Sequence, residues 1–359
     1  MVPTISLTLP SQLILSGRTP DRVTLGILAP LSGVMGIAGP AIINCAVLAA
    51  EQAALRGDAP PELVLIDAGE SPAVVARTVD SLVSGRLIHG LVGAHTSDVR
   101  AAVTRAVAGR VPYVFTPPRE FESGTTGSVF LGSDPLQQLL QPLEWIVRHE
   151  RVGRWALVGN DYIWPRQIHQ SARRILHELG QSVVMDELVP LGSVDPGRLL
   201  DRAHRTGADA LLVSLVGRDG IVLHRAVRES GAGEHFVRLC TTLDESCLIA
   251  AGGDSSGMLY STMPSFILQP DERHQSMIEL YLTRFGATAP LPSSYAEGCY
   301  DGVRFMVELA ANGMLGPGTP PAARGVDAAS HRFRTGNAPT RLARADGTDL
   351  RVIDLPRRV

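Results

Sequence analysis

One short motif has the spacing of a hydrolase nucleophile. Gly253-Asp254-Ser255-Ser256-Gly257 matches the pattern G-x-S-x-G, in which a sharp turn from a strand into a helix exposes a serine hydroxyl. Here the order is reversed, because residues 248–251 are predicted to be helical and residues 258–262 to form a strand. The motif is therefore predicted to be a polar turn. A hydrolase that uses Ser255 or Cys299 beside a histidine is kept as an alternative.

Three glycines follow the first predicted strand. Gly33, Gly36 and Gly39 have the spacing G-x-x-G-x-x-G, whereas a dinucleotide site needs G-x-G-x-x-G and an acidic residue placed for the ribose. No cofactor is expected. The loop either contacts a ligand at the end of the strand or serves only as a turn, and the sequence leaves both open.

Polar and aromatic side chains gather where predicted strands end. In open α/β sheets this edge binds ligands, so these residues form the predicted ligand-binding set, with no catalytic residue and no metal ligand among them. The set is His95, Thr96, Ser97, Phe115, Thr116, Tyr162, Trp164, Gly217, Thr242 and Asp244.

Two members of this set carry a prediction about ligand charge. Asp244 or its neighbour Glu245 is expected to favour an ammonium group if it faces the ligand, and His95 to hydrogen-bond a carbonyl or carboxylate and to attract an anion when protonated. The alternative is that Asp244 caps a helix and that His95 merely packs. The sequence leaves both alternatives open.

Apolar runs alternate with helical patterns in two series along the chain, which is typical of parallel sheets covered on both faces. Each series predicts a doubly wound α/β lobe with a ligand cleft between the two lobes. The expected boundaries are an N-terminal extension over residues 1–21, a first lobe over 22–134 and 263–325, and a second lobe over 135–262 and 326–359.

Composition excludes several classes of chemistry. The 359-residue chain is 45% hydrophobic and 19% charged with a net charge of −3, so it gives no electrostatic reason to bind nucleic acid or an anionic membrane. All 33 basic residues are arginine. Without lysine, a P-loop and any Schiff-base mechanism are excluded.

The thiols and imidazoles show no metal-binding spacing. Cys45, Cys240, Cys247 and Cys299 are predicted to be free and mostly buried, although a Cys240–Cys247 pair stays open. The N-terminal residues show no basic region followed by an apolar one, no early cysteine is present for lipid attachment, and no run of about 18 apolar residues suggests a membrane span. A cytoplasmic location is expected, unless an export leader was removed.

The motifs resemble those of the periplasmic binding proteins of type I, in particular the branched-chain amino acid group and its short-chain amide and urea branch, which includes the amidase regulator. Residues 26–33 (GILAPLSG) are similar to the family's first strand and turn, and residues 92–97 and 114–117 to its two binding strands. Residues 159–166 (GNDYIWPR) are similar to a segment of the amide and urea branch. The resemblance covers about residues 22–333.

The resemblance implies a ligand held near Ser97 and Thr116 and capped by Tyr162 and the region of Asp244. His95 and Val114 stand where the amide sensor has aromatic residues, and the end of the chain is shorter than usual. We therefore predict a non-catalytic binding protein that closes on an amino acid, a short amide or a urea-like molecule.

Its expected role is that of a cytoplasmic sensor that signals to a regulator protein. The alternatives are the solute-binding component of an ABC importer, with a permease as partner, and a hydrolase that uses the cleft. A homodimer is also left open.

Overall fold

The computed structural model describes residues 5–121, 127–317 and 340–356. The chain divides into two compact units. The described part of unit 1 comprises residues 5–118, 127–132 and 279–317, and that of unit 2 comprises residues 119–121, 133–278 and 340–356. The chain returns to unit 1 at Glu279, whereas the sequence placed this return at residue 263. The predicted boundary at residues 325 and 326 lies outside the described residues.

Unit 1 is built on a six-stranded parallel sheet with the order β1-β3-β2-β4-β5-β6. Its central strands are apolar and buried on both faces, which explains their continuous runs of Leu, Ile and Val. The strands are β1 (Leu7–Thr8), β2 (Thr24–Ala29), β3 (Glu62–Asp67), β4 (Gly90–Gly93), β5 (Tyr113–Phe115) and β6 (Ser128–Phe130).

Five helices accompany this sheet: α1 (Pro10–Ser16), α2 (Gly39–Leu55), α3 (Pro72–Ser84), α4 (Ser97–Val107) and α11 (Ser294–Ala311). A proline in the first turn begins each of α1, α2 and α3, where the missing amide hydrogen costs nothing. The stretch Gly36–Leu55 is long and apolar enough to cross a membrane by length and composition, but 67% of it is buried inside the protein. It is accounted for as the core helix α2, which packs against α11.

Unit 2 contains a seven-stranded sheet with the order β13-β12-β11-β10-β9-β7-β8. Strands β7 to β11 are parallel, and a C-terminal hairpin adds β12, which is antiparallel to β11, and β13, which is antiparallel to β12. The strands are β7 (Arg154–Asn160), β8 (Ser182–Val189), β9 (Ala210–Ser214), β10 (Val237–Cys240), β11 (Leu259–Met263), β12 (Arg341–Asp346) and β13 (Asp349–Ile353).

The helices of unit 2 are α5 (Pro135–His149), α6 (Ile163–Glu178), α7 (Pro196–Arg205), α8 (Gly217–Glu229) and α9 (Glu245–Ala251), and the division between the units falls inside α10 (Glu272–Phe285). Three of these helices begin at an aspartate whose carboxylate accepts an amide hydrogen bond from the first turn, namely Asp134, Asp195 and Asp244. Local capping therefore fixes where the chain turns from a strand into a helix.

The structure corrects the expectation for residues 1–21. This segment was predicted to be an extension, but β1 pairs with β3 at the edge of the first sheet, and Leu13 of α1 is fully buried in the core of unit 1. The short strand β6, at the opposite edge of the same sheet, was also missed. A strand of two or three residues gives too little alternation to be recognised in a sequence.

Candidate functional site

Each sheet contains a point at which the strand order reverses. In unit 1 the chain passes from β2 to β3 on one side and then to β4 on the other, so β2 and β4 are neighbours whose connections leave in opposite directions. In unit 2 the same reversal occurs between β7 and β9. Ligands of open α/β sheets bind at the carboxyl ends of the strands at such a point. The topology therefore gives one candidate edge in each unit.

The loop after β2 is held by Asp67 at the end of β3. One carboxylate oxygen of Asp67 accepts hydrogen bonds from the amides of Leu31 at 2.8 Å, Ser32 at 3.3 Å and Gly69 at 2.8 Å. Gly33 has a φ of +68° here, and a side chain at Gly33 would approach the carbonyl oxygen of Gly69 to 2.8 Å. The first glycine of the predicted loop thus serves the turn.

His95, directly after β4, uses both ring nitrogens inside unit 1. Nδ1 donates to the carbonyl oxygen of Thr96 at 3.0 Å, and Nε2 accepts from the hydroxyl of Tyr113 at 3.0 Å. Burial lowers the pKa of His95 to about 4, so the ring is neutral at pH 7. This geometry supports the packing alternative, because the predicted attraction for an anion needs a protonated ring.

Thr96, Ser97 and Thr116 lie with His95 at this edge of unit 1. Thr96 is the N-cap of α4 and Ser97 is its first residue. Thr116, after β5, donates its hydroxyl to the carbonyl oxygen of Gly93 at 3.2 Å, and its backbone amide donates to the same oxygen at 2.9 Å. The Thr116 hydroxyl oxygen retains its capacity to accept a hydrogen bond.

Phe115 does not belong to the polar edge. Its ring is buried in the core of unit 1. The ring centroid lies 5.5 Å from that of His95 and 6.3 Å from that of Phe130. Phe115 therefore packs behind the edge.

The edge of unit 2 contains a buried polar cluster that the sequence did not reveal. Asn160, the last residue of β7, accepts from the amide of Val216 at 2.9 Å and donates to a carboxylate oxygen of Asp219 at 2.7 Å. The same Asp219 oxygen accepts from the amide of Gly192 at 2.8 Å. These bonds connect the chain segments at the ends of β7, β8 and β9. They therefore hold the backbone in place around the strand-order reversal of unit 2.

The predicted ligand-binding residues of unit 2 follow the same strands, β7 and β9, and their neighbour β10. Tyr162 is the N-cap of α6 after β7, and Trp164 lies in the first turn of the same helix. Gly217, with a φ of +47°, begins α8 after β9, and Thr242 after β10 donates its hydroxyl to the carbonyl oxygen of Leu215 at 2.6 Å. The structure thus brings Tyr162, Gly217 and Thr242 to the carboxyl ends of neighbouring strands.

Asp244 and Glu245 have different roles at the start of α9. Asp244 caps the helix, since its Oδ1 accepts from the amide of Cys247 at 2.8 Å. Glu245 is buried, and its Oε1 accepts from the amide of Ile267 at 2.8 Å. Burial raises the pKa of Glu245 to about 7, and the charge of Asp244 adds to this effect. The helix-cap alternative for Asp244 is thus confirmed.

The G-x-S-x-G segment is a turn between α9 and β11, as predicted from the order of elements. Ser255 is exposed, and Cys299, the other candidate nucleophile, is buried with its pKa raised by burial to about 12. A thiol with a raised pKa is a poor nucleophile. All four cysteines are free and buried, so Cys240 and Cys247 form no disulfide.

A different serine has the hydrogen bonds of a catalytic triad. His169 Nδ1 donates to Asp186 Oδ1 at 2.7 Å, and His169 Nε2 lies 3.0 Å from Ser214 Oγ. Ser214 and His169 are almost completely buried, and a Cβ atom at Gly159 would lie 2.3 Å from Ser214 Oγ. The hydroxyl is packed against the backbone of β7, which leaves no space for a substrate. The cluster therefore binds β7, β8, β9 and α6 together.

No group of three or more His, Cys, Asp or Glu side chains suited to a metal ion occurs within residues 5–121, 127–317 and 340–356.

The sequence pattern of the periplasmic binding proteins matches residues 22–348. The chain belongs to this family. Its two α/β units with largely parallel sheets have the type I fold, as the resemblance implied.

Solved structures of ABC transporter components share this fold. An amino acid substrate-binding protein from Pseudomonas fluorescens Pf-5 is 15% identical with a TM-score of 0.78, covering 95% of this chain and 97% of the other. A solute-binding protein from R. palustris in complex with 4-hydroxybenzoate is 16% identical with a TM-score of 0.77, covering 94% and 96%.

A branched-chain amino acid transporter substrate-binding protein from Streptococcus pneumoniae, in complex with isoleucine, is 17% identical with a TM-score of 0.77, covering 94% and 100%. At these identities the likeness establishes the fold.

Proposed function

We propose that this periplasmic binding protein binds a small polar ligand without transforming it, as the solute-binding component of an ABC importer. The observation that supports this most directly is the strand-order reversal in each unit, with polar groups at the carboxyl ends of the strands. The family relationship supports binding, and the known functions of the structural neighbours favour an importer over the cytoplasmic sensor expected from the sequence. An exported location is part of the proposal.

We propose that the ligand is contacted by Thr96, Ser97 and Thr116 of unit 1 and by Tyr162 and Thr242 of unit 2. Hydroxyl groups predominate in this set, and a hydroxyl both donates and accepts. They suit a ligand with a carbonyl or carboxylate group, such as an amino acid, a short amide or a small carboxylic acid. Four other predicted residues lie at the same two edges and support the contact residues, namely His95, Trp164, Gly217 and Asp244.

A hydrolytic function lacks a supporting geometry in the described part of the chain. The exposed Ser255 lies in a turn of the wrong element order, and the serine that does contact a histidine, Ser214, is buried. A nucleophile has to be reachable by substrate. We therefore propose that the ligand leaves the protein chemically unchanged.

A thermal-shift screen tests the proposal. Purified protein is unfolded and refolded to remove bound ligand, and is then screened with amino acids, amides, ureas and small carboxylic acids. A ligand at 100 times its dissociation constant adds about 2.7 kcal/mol to the stability of the native state. We expect at least one stabilising compound, and mass spectrometry should recover it unchanged after incubation.

Two outcomes would contradict the proposal: no stabilisation by any of the four classes, or conversion of the bound compound. Cell fractionation with an antibody against the protein tests the importer role separately, since an importer component is expected outside the cytoplasmic fraction.

A further inference from the structure

The beginning of α11 lies at the proposed ligand-binding edge of unit 1, although the sequence singled out only Cys299 in this helix. A Cβ atom at Gly298 would contact Thr116 Oγ1 at 3.2 Å, one at Gly302 would meet Val92 Cγ1 at 2.6 Å, and one at Gly90 would meet Met306 Cε at 3.2 Å. The helix therefore runs antiparallel to β4 and β5. Its N-terminal turn extends past Thr116 at the carboxyl edge of the sheet.

Ser293 at this N-terminus departs from the usual behaviour of a helix cap. It has the extended backbone of an N-cap, with φ −67° and ψ 171°, but its side chain makes no capping hydrogen bond. Its hydroxyl oxygen is buried, with only 2% of the residue exposed, and has no hydrogen-bond partner among the residues the structure describes. A buried hydroxyl without a partner is unfavourable, so its retention needs an explanation.

The segment that leads into α11 is held in place. The hydroxyl of Tyr281 donates to the carbonyl oxygen of Pro290 at 2.5 Å and accepts from the side-chain amide of Asn44 at 3.0 Å. The amide of Ser293 donates to the carbonyl oxygen of Leu291 at 2.9 Å. The backbone that carries the Ser293 hydroxyl is therefore held in place before any ligand arrives, which lowers the entropic cost of binding.

The N-terminus of this 18-residue helix also attracts acceptor groups. The first-turn amides have no acceptor within the helix, and the aligned peptide dipoles give this end a partial positive charge. A hydroxyl and backbone amides at the same place form a donor set for one acceptor oxygen. Glu297 is an acidic residue of this first turn, and the cap position itself is occupied by Ser293.

We infer that Ser293 and the first turn of α11 form a subsite of unit 1 that binds an acceptor oxygen of the ligand, from a carboxylate or a carbonyl group. This inference rests on the proposed function and makes Ser293 a specificity-determining residue. Thr116 lies at the same edge and is expected to contact the same end of the ligand.

The first test needs no ligand. Ser293→Ala removes a buried hydroxyl that has no partner, so the thermal midpoint of the ligand-free variant should equal or exceed that of the wild type. Asp134→Ala is the matched control, because Asp134 does cap its helix, with Oδ1 accepting from the amide of Gln137 at 2.9 Å. The control should be less stable than the wild type. A loss in Ser293→Ala as large as that of the control would show a structural role and overturn the inference.

The second test measures affinity with paired probes by calorimetry. The probes are isoleucine with 2-methylbutylamine, and benzoate with benzylamine, since the second member of each pair has no acceptor oxygen. Ser293→Ala should weaken the carboxylate probe that binds by about tenfold and leave its partner unchanged. Equal affinities in wild type and variant would overturn the subsite alone. If the wild type binds no probe, the proposed function fails for these compounds, and the stability comparison still decides the role of Ser293.

Discussion

Arg238 and Asp254 form an ion pair that is almost fully removed from solvent, with 1% and 9% of their side chains exposed and 2.8 Å between Nη1 and Oδ2. Arg238 also donates to Ser256 Oγ at 2.8 Å and to the carbonyl oxygen of Gly233 at 3.1 Å. Burial acts to raise the pKa of Asp254, but the Arg238 charge and the Ser256 hydrogen bonds hold it below its usual value. Asp254 and Ser256 of the G-x-S-x-G segment therefore fix a turn around a buried guanidinium group.

Loss of the carboxylate at Asp254 should destabilise the protein strongly. Asp254→Ala leaves the Arg238 charge buried without its partner, which typically costs about 3–5 kcal/mol. Ser255→Ala is the matched control in the same turn, and an exposed substitution changes stability by no more than about 0.5 kcal/mol. Urea denaturation followed by circular dichroism measures both. Similar midpoints for the two variants would contradict a structural role for this turn.

The order of elements was predictable because it depends on local pattern. Continuous apolar runs such as that of β9 and the helical spacing of α7 and α10 are visible in the sequence. The first-turn prolines of α1, α2 and α3 and the cap of α5 at Asp134 follow the usual residue preferences at helix starts.

The polar clusters were not predictable in this way, because their members are far apart in the sequence. Asn160 and Asp219 are separated by 59 residues, and His169 and Ser214 by 45. Only the packing of strands against helices brings them together. Ser293 also gave no signal, since a serine before a helix normally indicates a cap and not a buried hydroxyl without a partner.

Thr116→Val should weaken ligand binding while the fold survives. The carbonyl oxygen of Gly93 keeps the hydrogen bond from the Thr116 amide when the hydroxyl is removed. If the hydroxyl also serves the ligand, its loss leaves a buried polar group of the ligand unpaired, at a cost of about 1–3 kcal/mol. Calorimetry with the compound identified in the screen measures this change.

Tyr162→Phe makes the corresponding test in unit 2. The ring and its position as the N-cap residue of α6 are kept, so only the hydroxyl is lost. We expect a decrease in affinity of about 1–3 kcal/mol and an unchanged circular dichroism spectrum. Unchanged affinity in both Thr116→Val and Tyr162→Phe would remove these residues from the proposed site.

The stability contributed by Glu245 should decrease as the pH rises. Its folded-state pKa is raised to about 7 from a reference of 4.5, so the buried neutral form is favoured and the contribution is complete below about pH 4.5. The contribution is lost as the pH rises through 7, where the native state has to bury a charge. Glu245→Gln retains an acceptor for the Ile267 amide and cannot ionise. The variant should therefore be more stable than wild type at pH 8 and similar to it at pH 4, and the reverse order would contradict this assignment.

Buried histidines should give the opposite pH dependence, with a native state that loses stability as the pH falls. Burial lowers the pKa of His95 to about 4 and that of His224 to about 3, from a reference of 6.5. Unfolding releases rings that take up protons, so the stability that depends on neutral rings is complete above about pH 6.5 and is lost as the pH falls through the folded values. His224→Leu should reduce the loss of stability between pH 7 and pH 4. His204→Leu, at an exposed helix position, is the control and should leave this pH dependence unchanged.

Substitution of Asp244 by asparagine distinguishes a helix-capping role from recognition of the ligand's charge. Its carboxylate caps α9 through the amide of Cys247, and a capping hydrogen bond does not remove the negative charge. Asparagine caps a helix about as well as aspartate, so Asp244→Asn should keep the thermal midpoint of the ligand-free protein. If the carboxylate also pairs with an ammonium group, amine-bearing ligands should lose about tenfold or more in affinity, while neutral amides keep theirs. Calorimetry with isoleucine and isobutyramide makes the comparison. An equal change for the two probes, or no change for either, would leave Asp244 with its capping role and would require another group to recognise the ligand's charge.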